Sequence, residues 1–303
     1  MTDAGEAHET ERGVFVYGLA VTGLGSAAHH LCAPGPERSE VAPPALRVRC
    51  ELREPPTVET RPQVFDSEHA ETALIESGWL SISRSPVPTA TFRLTRELSP
   101  AELLHPWLVP AAAAASIWQG HKVLHGGVVC AGSLAVAVVG DKDGGKSSLL
   151  AWASTYPGLH VLADDLVVIN NEKVYAGPRC IDLRAAALPH LPLHDRDAEQ
   201  VRGGTRTRLI LPPGPTAARL VGIVVLAWAD ELSLEPVPVV DRLGTLLPHA
   251  MIGSLPAGHG GVLDFVRFPT WRLSRPRDWA KMPAAVESLR DILAAAAAGA
   301  SAR

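Results

Sequence analysis

The sequence predicts an α/β protein in which a phosphate-loop domain of alternating strands and helices follows a small β-rich N-terminal domain. Three observations predict it. Residues 136–150 place Gly-x-x-x-x-Gly-Lys-Ser between an apolar strand-like run and a helix-like one. From residue 121 onward strand-like and helix-like segments alternate. Before residue 98 the chain offers short strand-like runs separated by stretches rich in Pro, Glu and Arg.

A chain of 303 residues suits one large domain plus a small one. The expected division is a frayed tail over 1–12, the β-rich domain over 13–98, and the phosphate-loop domain with a linking helix and a C-terminal helix over 99–303. Hydrophobic residues make up 47% and charged residues 20%, which is ordinary for a globular protein and argues against wholesale disorder. A net charge of -4 without any Lys/Arg run gives no footprint for nucleic acid or for a membrane surface. The acidic N-terminus lacks the basic and apolar regions of a signal peptide, and no apolar run reaches membrane-spanning length, so a cytoplasmic location is expected. The four cysteines are scattered and form no C-x-x-C pair, which indicates neither a zinc site nor a disulfide framework.

Taken in order, residues 13–22 alternate as a strand does, and further strands are expected at 45–53, 79–83 and 89–94. Ser99-Pro100, with an acidic residue close behind, reads as a helix start, and the alanine-rich 111–120 as a helix that ends at Gly120. A hairpin is expected to turn at Gly132-Ser133 between strands 128–131 and 134–139. Then come a helix over 146–155, strands over 160–169, 173–176 and 221–227, and an alanine-rich terminal helix over 283–298.

The loop Gly140-Asp141-Lys142-Asp143-Gly144-Gly145-Lys146-Ser147-Ser148 carries the chemistry. Its backbone N–H groups, with those of the helix that follows, form a concave anion site. Lys146 is placed to reach the β- and γ-phosphates of a nucleotide and Ser147 to hold Mg²⁺. The alternative is a glycine-rich turn with no ligand, which the strand and helix flanks disfavour.

Three clusters accompany the loop. His125 stands in Leu-His-Gly-Gly just before the hairpin, and is either structural, a γ-phosphate contact or a proton partner. Asp164-Asp165 interrupts an apolar run; two unpaired buried carboxylates are costly, so the pair reads as a site in which one binds Mg²⁺ and the other takes a proton. Neighbours on a strand face opposite ways, so both can meet one phosphate only if the chain bends there. Asp182 and Arg184 form the third cluster. His121, His160, His249 and His259 read as structural.

The order Leu-His-Gly, hairpin, Gly-Asp-x-x-x-Gly-Lys-Ser, then His-x-Leu-Ala-Asp-Asp resembles the catalytic domain of HPr kinase/phosphorylase and related serine kinases, over about residues 120–215. The resemblance implies a P-loop kinase domain of the kind shared with phosphoenolpyruvate carboxykinase, using ATP and Mg²⁺. It implies that Ser147 with Asp164 or Asp182 holds the metal and that Asp165 or Asp164 is the base. His125 and one or more of Arg184, Arg206 and Arg208 would neutralise charge on the transferring phosphoryl.

The chain departs from the bifunctional enzymes at Lys142, Asp143, Asp182 and the Ala-Ala-Ala after Arg184, so neither phosphorylase activity nor HPr as substrate is implied. Asp143 would repel phosphate unless it points outward or pairs with Lys142. The whole layout is similar to the HPr-kinase-like tailoring kinases of lasso and other ribosomal peptides. It implies a peptide or protein partner with an acceptor serine and a homo-oligomer, with a small-molecule kinase or a nucleotide-binding regulator as the alternatives.

Overall fold

The computed structural model describes residues 14–25, 30–32, 43–56, 64–74, 78–192, 198–251 and 263–301. The tail expected over 1–12, much of 33–62 and His259 lie outside the described residues. The N-terminal part is a seven-stranded sheet of β1 (Val14–Val16), β2 (Leu19–Thr22), β3 (Ala45–Leu52), β4 (Val64–Phe65), β5 (His69–Ala73), β6 (Trp79–Ser83) and β7 (Thr89–Leu94), in the order β1-β2-β3-β7-β6-β5-β4. The single strand expected over 13–22 is two, because Tyr17 and Gly18 take positive φ (56° and 79°) and turn the chain.

Ser99 starts the first helix: its hydroxyl accepts from the Glu102 N–H, and the Glu102 carboxylate accepts from the Ser99 N–H, a reciprocal capping box. Helix α1 (Pro100–Glu102) leads into a wide turn in which His105 is extended (φ -149°, ψ 125°), and α2 (Leu108–Trp118) follows. Residues 111–116 of α2 are all buried, as an all-round apolar helix requires. The helix packs between β6 of the first sheet and two strands of the second, β8 (Lys122–Ala131) and β11 (Leu166–Asn170). One continuous apolar cluster therefore crosses the boundary expected at residue 98, joining Leu80 and Phe92 to Leu104, Leu108 and Val168.

Beyond α2 the elements are β8, β9 (Leu134–Gly140), α3 (Lys146–Ala153), β10 (His160–Ala163), β11 and β12 (Lys173–Tyr175). Strands β13 (Cys180–Leu183), β14 (Ala198–Val201) and β15 (Arg206–Ile210) form a separate antiparallel sheet. Then β16 (Ala217–Trp228), β17 (Ser233–Pro236), α4 (Val239–Leu246), β18 (Thr270–Arg275) and α5 (Met282–Ser301) complete the second sheet and its cover. In that sheet β9, β16 and β18 run parallel. Hydrogen-bonded pairing also runs round a circuit β8-β9-β16-β12-β11 and back to β8.

Every residue of β9 is buried, as a central strand covered on both faces demands. Ala135, Ala137 and Val139 enter the core shared with α2, whereas Val136 and Val138 enter a second core under α3 and α5 with Leu149, Val286 and Leu289. The parallel strands all end at one rim, where Gly140 stands beside Leu226 and, two residues on, Trp228 stands beside Arg275. That rim is the end at which parallel α/β sheets receive ligands.

Candidate active site

The loop between β9 and α3 turns on Gly145, whose φ of 77° is left-handed. A Cβ there would also stand 2.2 Å from Arg275 Nη2. Lys146, itself buried, folds back over the loop and donates from Nζ to Gly140 O (2.8 Å) and Asp141 O (3.0 Å). The first N–H groups of α3 have no helical acceptor and are free for an anion.

Beneath the loop lies Arg275, 4% exposed, donating to Gly144 O (3.1 Å) and Gly145 O (3.3 Å) with its guanidinium stacked on Trp228 at 4.2 Å. Burial pulls it down to about 10, which leaves it charged at neutral pH. The sequence signal for this residue was slight, since it is one of three arginines in the polar run 272–277.

Strands β10 and β11 both pair with β8, so they are two lengths of one strand interrupted at Asp164-Asp165. Asp165 takes φ 67°, and the Leu166 N–H donates across the break to Asp164 O. The bend required for both carboxylates to approach one ligand is present. It also separates them chemically.

Asp164 is 3% exposed, and its Oδ1 has no hydrogen-bond partner among the described residues. Burial, then the charge of Asp165, push its carboxyl well above the usual range, against the hydrogen bond from the Ser147 hydroxyl. A buried carboxylate oxygen without a partner, beside a hydroxyl, is a donor set that a hard divalent cation fits. Asp165 instead lines a cleft of about 400 Å³ together with His125, Lys146, Ser147, Arg184, Arg202 and Arg206.

His125 sits on β8 opposite Leu166, with Nδ1 3.1 Å from Asp165 O. A carbonyl only accepts, so Nδ1 carries the proton and the neutral ring presents Nε2 as an acceptor. Burial and then Lys146 hold its pKa below the ordinary histidine value. A neutral ring so placed can take or give a proton at Nε2. Next to it, Gly126 and Gly127 are fixed by close approach: added Cβ atoms would stand 2.4 Å from Val138 O and 2.3 Å from Leu150 Cδ1. His249, unlike the exposed His125, is buried near the loop, and its ring feels the charges of Asp141 and Lys146.

The antiparallel sheet β13-β15-β14 forms the facing wall. Asp182 lies opposite Arg208 in register and accepts from its Nε (2.8 Å) and Nη2 (3.1 Å), while Arg202 stands 3.2 Å away. Burial pushes the Asp182 carboxyl up, but His105 and the two guanidiniums outweigh it and leave it low. His105 is itself driven down by burial, so at neutral pH the arginines carry that effect.

Two expectations change here. Asp182 lines the cleft, but both its oxygens are committed to guanidiniums, whose charge opposes a cation. Arg208 is fully buried, donates to Ala101 O and His105 O as well, and does not line the cleft; its role is structural. Asp143 is neutralised by Arg184 across the cleft rather than by Lys142.

His105 went unremarked in the sequence, where His-Pro-Trp looks like part of a buried helix. It is 1% exposed and has neither ring nitrogen hydrogen-bonded among the described residues, with Nε2 3.6 Å from Asp165 Oδ2 and 3.9 Å from Asp182 Oδ2. Behind the Asp pair, the Tyr17 hydroxyl of the N-terminal sheet donates to Asp164 O (3.4 Å), and the Tyr17 N–H donates to Ala176 O (2.6 Å).

No family model matches the chain, and no curated protein matches it. Among solved structures it is similar to the Hpr(Ser) kinase/phosphatase from Coxiella burnetii, at 11% identity and a TM-score of 0.29, covering 56% of this chain and 93% of that one. At that TM-score the likeness assigns nothing to the cleft. No helix among the described residues is long and apolar enough to cross a membrane.

Proposed function

We propose that the chain is a Mg-ATP-dependent kinase that phosphorylates a serine hydroxyl of a peptide or protein, in the manner of the kinases that tailor ribosomal precursor peptides of the lasso type. The observation that carries the kinase reading is the shared cleft: the loop with Lys146 and Ser147 on one side, Asp165 and His125 on the second, and Arg184, Arg202 and Arg206 on the third. The peptide acceptor rests on the resemblance in motif order.

In this reading the loop amides and Lys146 bind the β- and γ-phosphates. Asp164 and Ser147 hold Mg²⁺, which neutralises phosphate charge when bound. Asp165, on the cleft wall, accepts the serine proton as the hydroxyl oxygen bonds to the γ-phosphorus and the bond to the β-phosphate oxygen breaks, releasing ADP. Arg184 and Arg206 stabilise the charge on the transferring group.

The test is transfer of labelled γ-phosphoryl from Mg-ATP into a host-cell extract resolved into peptide and metabolite fractions. Label on a peptide serine, lost with Lys146→Ala, is the expected result. Label confined to metabolites would replace the peptide acceptor by a small molecule. An active Lys146→Ala enzyme would remove the loop from the mechanism.

A further inference from the structure

A second cavity of about 240 Å³ adjoins the cleft on the far side of the loop. The two share Asp143, Gly145, Ser148 and Trp279, so the phosphate loop forms the partition between them. Their chemistry differs. The cleft gathers Asp165 and three arginines, whereas the second cavity sets Trp228, Trp279 and Met282 beside Arg275, Arg277 and Asp278.

We infer that this second cavity is a nucleobase site, holding the purine of the nucleotide whose phosphates lie on the loop. The inference rests on the proposed function, since it needs a nucleotide there, and it adds which end of the ligand goes where. A loop of this kind orders the phosphates along itself, with Lys146 at the β- and γ-groups and the α-group beside the start of α3. The γ-end must face Asp165 in the cleft. The nucleoside then leaves past Ser148, and Ser148 opens onto the aromatic cavity.

Both tryptophans are already organised for planar partners. The guanidiniums of Arg275 and Arg277 lie 4.2 and 5.1 Å from the Trp228 ring. Trp279 rests on the His190 ring at 4.8 Å and an interplanar angle of 12°, and its remaining surface borders both cavities. A base entering between them stacks on Trp279, with arginine side chains alongside that carry donors only and suit the acceptor edge of a purine. Arg275 contributes a buried Nε that has no hydrogen-bond partner among the described residues. Trp279 precedes α5 on a turn capped by Asp278, whose carboxylate accepts from the Ala280 N–H (2.9 Å), so the ring is held rather than loose.

The test compares three ligands by calorimetry in the presence of Mg²⁺: inorganic tripolyphosphate, ATP and UTP, with wild type, Trp279→Ala and Trp279→Phe. Tripolyphosphate reads the loop alone. ATP is expected to bind wild type about ten- to a hundred-fold more tightly than tripolyphosphate, with UTP between them. Trp279→Ala should bring the ratio of ATP to tripolyphosphate affinity close to one, and Trp279→Phe should restore most of it. Equal affinities for ATP and tripolyphosphate in wild type, or an unchanged ratio in Trp279→Ala, overturn the base site and leave the loop standing. Failure of tripolyphosphate and ATP alike to bind wild type overturns the loop and the base site together.

Discussion

At the scale of the residue, the two adjacent aspartates are a single motif in the sequence and two environments in the fold. Asp165→Asn should lower kcat by about 10²- to 10⁴-fold, the usual contribution of a general base, with ATP affinity by calorimetry little changed. Asp164→Asn tests the metal assignment through stability. The Asp164 carboxyl is raised in the folded state, so the folded protein holds that proton more tightly than the unfolded chain does. As pH rises above about 4, the value for an unperturbed aspartate, metal-free protein loses stability through this group. The Asn variant lacks that loss. Thermal denaturation against pH in chelator should therefore show wild type losing ground to Asp164→Asn as pH rises, and added Mg²⁺ should stabilise wild type far more than the variant.

At the scale of the element, the β13–β15 ladder places Asp182 directly opposite Arg208, and the arginine also ties that sheet to the turn after α1. Removing one partner of a buried pair strands the other, so Asp182→Asn should cost about 3–5 kcal/mol of stability at neutral pH by denaturant unfolding. Because Asp182 is held low in the folded state, this contribution is present above its unfolded value and fades as pH falls through the folded one. The gap between wild type and variant should accordingly shrink in acid.

The elements also show what the sequence made legible. The loop, the hairpin and the capped helix start were readable because each is local: glycines at fixed spacing, a turn pair, a Ser with a Glu three residues on. The wall opposite the loop was readable only as scattered arginines. Arg206 and Arg208 stand two apart on one strand and share its face, so alternation cannot tell them apart; what separates them is the turn after α1, which covers Arg208 and leaves Arg206 at the cleft, a contact that nothing in the local sequence shows. His105 and Arg275 were missed for a related reason: each reaches the site through contacts far off in the chain.

At the scale of the molecule, the division read at residue 98 is a change of composition rather than a gap in the core. Helix α2 packs on both sheets, and the Tyr17 turn braces the backbone of Asp164. A fragment of residues 99–303 would expose one whole side of α2, and is expected to aggregate or to melt far below the full chain. A soluble fragment that binds ATP with full affinity would show two independent units instead. The same interlocking bears on Gly126 and Gly127, where a single methyl group would collide with Val138 O or Leu150. In a saturation library scored by growth, these two positions would be as intolerant as Lys146 although they touch no ligand. Intolerance to replacement would then draw one footprint around chemistry and scaffolding alike, and only a parallel score for abundance would pull the two apart.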